Sequence, residues 1–113
     1  METKQVIGAL SALAQESRLA AYRLLVEAGP TGLSVGEIGA ALSVAPATLS
    51  FHLKELSNAG LVDSRQEGRY IYYFAHYPRM RELLAYLTEN CCARDACCPA
   101  KPASRRAKSR SAS

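Results

Sequence analysis

Apolar residues in the first 42 positions recur three or four residues apart, and this spacing predicts three helices. The first covers roughly residues 5–14. Ser17 is expected to cap the second, which closes at Gly29-Pro30 because glycine and proline both end helices. Ser34 is expected to cap a short third helix, with Glu37 three residues later completing a capping box.

The middle of the chain predicts a fourth helix and then a change of period. Pro46 suits the first turn of this helix, because the first amides of a helix need no partner within it. Gly60, which can adopt a positive φ, ends the helix. The segments 61–65 and 69–75 are rich in Val, Ile, Tyr and Phe and flank residues 66–68, which predicts a β-hairpin.

These elements together predict a winged helix-turn-helix. Two short helices are separated by a three-residue break, and the second is followed by the hairpin. Residues 31–33 are expected to form only a turn, and a last helix is predicted over about 78–90. The expected fold is therefore mainly α with a two-stranded β wing.

The helix over 46–58 supplies the candidate nucleic-acid contacts. Its leucine face must pack on the preceding helices, so the opposite face points outward. Small side chains there let the backbone approach a groove, and hydroxyl and cationic groups can reach phosphates or base edges. Two arginines lie beside the tip of the hairpin, where they can contact phosphate or the minor groove. The predicted DNA-binding residues are Ala47, Thr48, Ser50, Phe51, His52, Lys54, Arg65 and Arg69.

The chain divides by composition into three parts. Residues 1–90 form the predicted DNA-binding and dimerisation domain, 91–98 contain the cysteines, and 99–113 are expected to be a disordered basic tail. The net charge of the whole chain is +4, but residues 1–98 carry −1 and the last fifteen carry +5. Overall basicity is therefore weak support for nucleic-acid binding.

The sequence favours a cytoplasmic protein without a membrane partner. No apolar run approaches the roughly 18 residues needed to cross a bilayer. The N-terminus lacks the basic and apolar regions of an export signal. Thiols stay reduced in the cytoplasm, where the cysteines would remain available as ligands.

All four cysteines lie within eight residues, at Cys91, Cys92, Cys97 and Cys98. Thiolates favour thiophilic ions over magnesium or calcium. Arsenite prefers three sulfurs arranged as a pyramid, and an adjacent pair plus one thiol further on can supply them. The pairs do not form the C-x-x-C pattern that is usual for structural zinc. The cluster therefore predicts a binding site for As(III) through three thiolates.

Other ligands of the cluster remain open. Antimonite and methylarsenite share the chemistry of arsenite, and cadmium, lead or zinc could also bind thiolates. A thiol redox switch is a further alternative. A cysteine-based enzyme is disfavoured because these cysteines follow the C-terminal end of a helix, where the helix dipole disfavours a thiolate. We expect no catalysis and no small organic substrate.

The chain resembles the ArsR family of metal-responsive repressors over about residues 5–90. The first part of the resemblance is the opening signature at 13–19 and the leucine pair at 24–25. The second part is the recognition helix and the wing, at 47–56, 59–62, 68–70 and 72–73. The resemblance implies a homodimer through the first and last helices, with two recognition helices on a palindromic operator. It also implies a repressor that is released from DNA when the inducer binds.

The chain departs from the best-known members of this family in the position of its cysteines. The best-known members have their arsenic-binding cysteines on the short third helix, where 34–38 contains none. Some members have inducer thiols at the C-terminal location, which the cluster at 91–98 resembles.

The dimer expectation also follows from apolar faces on the first and last helices that are too exposed for one small domain. These faces are predicted at Val6, Leu10 and Leu13, and at Leu83, Leu84 and Leu87.

Overall fold

The computed structural model describes residues 1–94, which form five helices and a three-stranded antiparallel sheet. Cys97, Cys98 and the predicted tail at 99–113 lie outside the described residues. None of the helices in the described part has the length and apolar character needed to cross a membrane. The elements in chain order are α1 (Thr3–Leu13), α2 (Glu16–Ala28), β1 (Leu33–Ser34), α3 (Val35–Leu42), α4 (Pro46–Asn58), β2 (Val62–Glu67), β3 (Tyr70–Ala75) and α5 (Tyr77–Thr88).

The predicted helices are all present, with one cap corrected. Gln15, not Ser17, caps α2, because the Gln15 side chain accepts a hydrogen bond from the Arg18 amide at 2.8 Å. The capping box of α3 is confirmed, since Ser34 and Glu37 each accept from the other's amide, at 3.2 and 2.9 Å. These caps satisfy amides that a helix leaves without partners at its start.

Helix α4 lies over the core of the domain. It begins at Pro46 and is followed by Gly60 with φ +77°, as the sequence predicts. A Cβ at that glycine would also approach the Arg79 guanidinium, with Nε at 3.1 Å. The largest fully buried side chains come from α2, α3, α4 and the start of the wing, and they are Leu25, Ile38, Leu49, Leu53, Leu56 and Leu61.

The sheet has three strands in the order β1-β3-β2, so the prediction of a two-stranded wing is incomplete. Leu33 and Ser34, expected to belong to a turn and a cap, pair with Tyr73 and Tyr72 of β3. A strand of two residues has no alternation to recognise, so only its partner reveals it. The hairpin turn is also tighter than expected, because β2 and β3 pair up to Glu67 and Tyr70.

Helices α1 and α5 pack against each other, and a hydrogen bond of 2.8 Å joins Thr3 Oγ1 to Tyr86 Oη. Their predicted apolar faces need correction. Val6 and Leu83 are buried in the hydrophobic core of the domain, and Leu13 is half-buried. Val6 and Leu83 are therefore not available for an interface as predicted, and Leu13 is available only in part. The large apolar side chains that these two helices leave exposed are Ile7, Leu10, Leu84 and Leu87.

Candidate nucleic-acid interface and thiol site

The outward face of α4 is exposed as predicted. Its leucines at 49, 53 and 56 are buried, which turns the opposite side of the helix to solvent. The first turn contains no acidic residue. An acid there would repel phosphate at the end of the helix where the dipole favours anions. The exposed members of the predicted set are Ala47, Thr48, Ser50, Phe51 and Lys54.

His52 does not lie on this face, and its predicted exposure is wrong. Only 8% of its surface is accessible, and it is the one buried polar or charged residue among residues 1–94. Its Nδ1 lies 3.5 Å from a terminal nitrogen of Arg18. The Arg18 Nε donates to the carbonyl of Ala12 at 2.6 Å. His52 therefore belongs to a contact that joins the end of α1 and the start of α2 to α4.

Sequence reasoning missed one residue of the outward face. Asn58 is exposed in the last turn of α4, four residues after Lys54. Residues four apart lie on the same side of a helix. The signal that could have found Asn58 is this spacing, together with the ability of an asparagine amide to pair with adenine.

The two wing arginines differ in their surroundings. Arg69 is exposed in the two-residue turn between β2 and β3. The Arg65 guanidinium instead contacts the protein itself, since its Nε donates to Glu67 at 2.6 Å and its terminal nitrogens donate to the carbonyls of Pro30 and Thr31.

Arg65 also lies over two aromatic rings. Its Cζ is 5.4 Å from the ring centre of Tyr72 and 5.7 Å from that of Phe74. Only 35% of its side chain is exposed. The placement of Arg65 at the hairpin tip is therefore corrected: the side chain fastens the wing to the loop after α2, and Arg69 alone of the two lies at the tip.

The described part of the thiol site begins directly after α5. The helix ends at Thr88, whose carbonyl accepts from the Cys91 amide at 3.0 Å. The Sγ atoms of Cys91 and Cys92 are 3.8 Å apart. Two bonds of about 2.3 Å from one metal, opening at a near-tetrahedral angle, span roughly this distance. Cys92 is disulfide-bonded in this structure, so the adjacent pair can fill two ligand positions of one thiophilic ion only after that bond is reduced.

A complete ligand set is not found within residues 1–94. No three His, Cys, Asp or Glu side chains of that range are grouped closely enough to hold a metal ion. Two of the four predicted ligands, Cys97 and Cys98, lie beyond it. His76, the histidine nearest to α5, accepts from the Arg79 amide at 3.1 Å and so caps that helix.

Comparison with known proteins identifies the family. Residues 13–65 match a family model described as a helix-turn-helix domain. HlyU from Vibrio cholerae has a solved structure that superposes with a TM-score of 0.61 at 34% identity, covering 77% of this chain and 97% of that one. An ArsR-like transcriptional regulator from Rhodococcus sp. RHA1 superposes with a TM-score of 0.69 at 26% identity, covering 80% and 82%. The chain belongs to the ArsR family of winged helix-turn-helix transcriptional regulators.

Two further relatives match over shorter regions. The cadmium resistance transcriptional regulatory protein CadC of Listeria innocua is 36% identical over 73 residues, which are 65% of this chain and 60% of CadC. A Halobacterium salinarum protein provisionally named as the arsenical resistance operon repressor ArsR is 40% identical over 67 residues, 59% of this chain and 51% of that protein. The chain thus spans about half to three-fifths of the length of these relatives.

Membership of the ArsR family confirms the predicted fold class. The relatives named above are transcriptional regulators, which agrees with the prediction of a regulator rather than an enzyme.

Proposed function

We propose that this ArsR-family protein is a dimeric repressor that binds operator DNA through α4 and the wing. We further propose that it is released when its C-terminal thiolates bind trivalent arsenic. The observation that carries this proposal is the position of Cys91 and Cys92, because they follow α5, one of the two helices whose exposed apolar side chains would form the dimer interface. An ion bound there acts on the element that would join two protomers.

The DNA-binding step rests on the surface of α4 and the wing tip. The exposed small and hydroxyl side chains of α4 leave room for the helix in a major groove, and Lys54 supplies a cation for a phosphate or a guanine. Arg69 is exposed at the wing tip, where it would contact a phosphate or the minor groove. His52, through its contact with Arg18, and Arg65, through its bonds to the loop after α2, help to hold α4 and the wing in place.

The dimer rests on the exposed apolar residues of α1 and α5. Two protomers that pair these helices across a two-fold axis would cover Ile7, Leu10, Leu84 and Leu87 and present two copies of α4 to a palindrome. A solved relative at 28% identity is titled as a homodimeric winged helix-turn-helix domain, which is consistent with this arrangement.

The inducer step requires a third sulfur beside Cys91 and Cys92. Cys97 or Cys98 supplies it, and a bond from either sulfur to the same ion would hold that cysteine at the end of α5. Such a change releases DNA only if the ion binds the DNA-free form more tightly, by about 1–3 kcal/mol of coupling. The thiolates must be deprotonated and reduced to bind, and the cytoplasm keeps thiols reduced.

The test uses the reduced full-length chain and a labelled duplex from the DNA upstream of its own gene. Fluorescence anisotropy follows the release of the duplex as arsenite is added. We expect Cys91→Ser and Cys92→Ser to bind the duplex normally and to lose the arsenite response. Ala93→Ser is the matched control, because it adds a hydroxyl in the same turn without removing a thiol, and it should respond like the wild type. If all four single Cys→Ser variants respond normally, the proposed inducer site is wrong.

The same titration separates the alternative inducers. Antimonite, methylarsenite, cadmium, lead, zinc and peroxide are added in parallel, since one matched relative is named for cadmium resistance and another for arsenical resistance. Release by cadmium at lower concentration than by arsenite would make the protein a sensor of soft divalent metals. Release by peroxide that dithiothreitol reverses would make it a redox switch.

A further inference from the structure

The outward face of α4 carries one large apolar side chain. Phe51 is 57% exposed, whereas the other exposed residues of this face are small, hydroxylated, cationic or amide side chains. The chain contains one other phenylalanine, Phe74, and the Arg65 guanidinium covers that ring at 5.7 Å. Phe74 is therefore covered by another side chain, whereas Phe51 is exposed to solvent.

The neighbours of Phe51 leave its ring exposed to solvent, and one of them lies behind the ring. Ala47, one turn earlier, is too small to cover the ring. The buried His52 imidazole lies behind it, with ring centres 5.9 Å apart and planes tilted by 59°. Lys54 is one turn later on the same face. The ring thus projects from the middle of the helix, supported by the imidazole and flanked by a cation.

We propose that Phe51 is a specificity-determining residue that contacts the C5-methyl group of a thymine in each half of the operator. This inference rests on the proposed DNA binding through α4. The edges of the bases are what a helix in the major groove meets, and the thymine methyl is the apolar group among them. A phenyl ring packed on that methyl removes apolar surface of both partners from water.

The expected size of the effect is that of one methyl group. Burying one such group changes an equilibrium constant about fourfold. A two-fold symmetric dimer makes the contact twice, so replacing both thymines by uracil, which lacks only the methyl, should weaken binding roughly 15-fold. Phe51→Ala should fold, because the ring is exposed and alanine has the highest helix propensity.

The experiment starts from a pool of random duplexes, so that the selection itself supplies the operator sequence. The full-length wild-type chain selects its preferred sequence, and each thymine of that sequence is replaced in turn by deoxyuridine. Anisotropy gives the affinity of the wild type and of Phe51→Ala for every duplex. Ser50→Ala, altered on the adjoining position of the same face, is the matched control.

We expect one symmetric pair of thymines at which uracil weakens the wild type. Phe51→Ala should bind thymine and uracil there equally, whereas Ser50→Ala should keep the wild-type ratio. A ratio that is unchanged in Phe51→Ala, or an absence of any sensitive thymine, overturns the proposal. Loss of the dimer in Phe51→Ala on sedimentation also overturns it, because the ring would then lie between protomers. If the wild type enriches no duplex at all, the proposed DNA binding fails as well.

Discussion

The exposed leucines of α5 allow a quantitative test of the proposed dimer. Leu84 and Leu87 are each 54% exposed. Burying a whole leucine side chain contributes about 1.5–3 kcal/mol, so a half-exposed one has about 1 kcal/mol left to gain. The double variant Leu84→Ala/Leu87→Ala removes most of that gain. Because each protomer contributes both residues, dimerisation should lose about 4 kcal/mol, close to a thousandfold in dissociation constant.

Sedimentation velocity over nanomolar to high micromolar concentrations measures this change. The wild type should be dimeric at micromolar concentration, and the double variant should be monomeric there with an unchanged circular dichroism spectrum. Ile71→Ala is the matched control, since Ile71 is 45% exposed on the wing, away from α1 and α5. It should leave the dimer intact.

Two results would refute this reasoning. A double variant with the wild-type dissociation constant would exclude α5 from the interface. A wild type that stays monomeric at high micromolar concentration, yet binds a selected duplex tightly, would exclude the dimer itself.

Three further sets of variants test the interface and the core. Lys54→Ala or Arg69→Ala should weaken DNA binding. Each should also reduce the slope of log affinity against log salt by about one unit for each phosphate that a protomer no longer neutralises. An unchanged slope in both variants would show that the DNA interface lies elsewhere on the protein. Arg65→Ala should leave that slope unchanged but lower stability by about 1–2 kcal/mol, a fall of roughly 5–15 °C in thermal melting. Tyr22→Phe should stabilise the fold by about 1 kcal/mol, because the Tyr22 hydroxyl is buried without a hydrogen-bond partner within residues 1–94. Burial, and secondly Tyr77, raise the pKa of Tyr22 above its ordinary value of 10.0, so stability should fall as pH rises past 10 in the wild type more than in Tyr22→Phe.

Local signals in the sequence predicted the elements well. The capping box at Ser34 and Glu37, the start at Pro46 and the positive φ of Gly60 each depend on residues close in the chain. Such signals survive folding because no distant group has to supply a partner. The outward face of α4 was predictable for the same reason, since its buried leucines recur at helical spacing.

The wrong predictions concern residues whose contacts are made with distant parts of the chain. Arg65 reaches carbonyls 34 and 35 positions earlier in the chain, which no local pattern shows. His52 lies at the margin of a helix face, and the contact with Arg18 decides that it is buried. Val6 and Leu83 fit an interface between chains and an interior equally well by sequence, and only the packing of α1 and α5 on the core places them inside.

The double role of Ser34 makes the proposed DNA-contacting part of the molecule mechanically stiff. Ser34 pairs with the wing strand β3 and also caps α3, while Arg65 ties the other wing strand to the loop just before β1. The wing and the helix-turn-helix would then move together as one rigid body. In a dimer with recognition helices about 34 Å apart, each lies about 17 Å from the axis, so a rotation of about 10° shifts it by roughly 3 Å, close to one base-pair step. A small change of angle between protomers would therefore suffice to lose the operator, with no secondary structure melted.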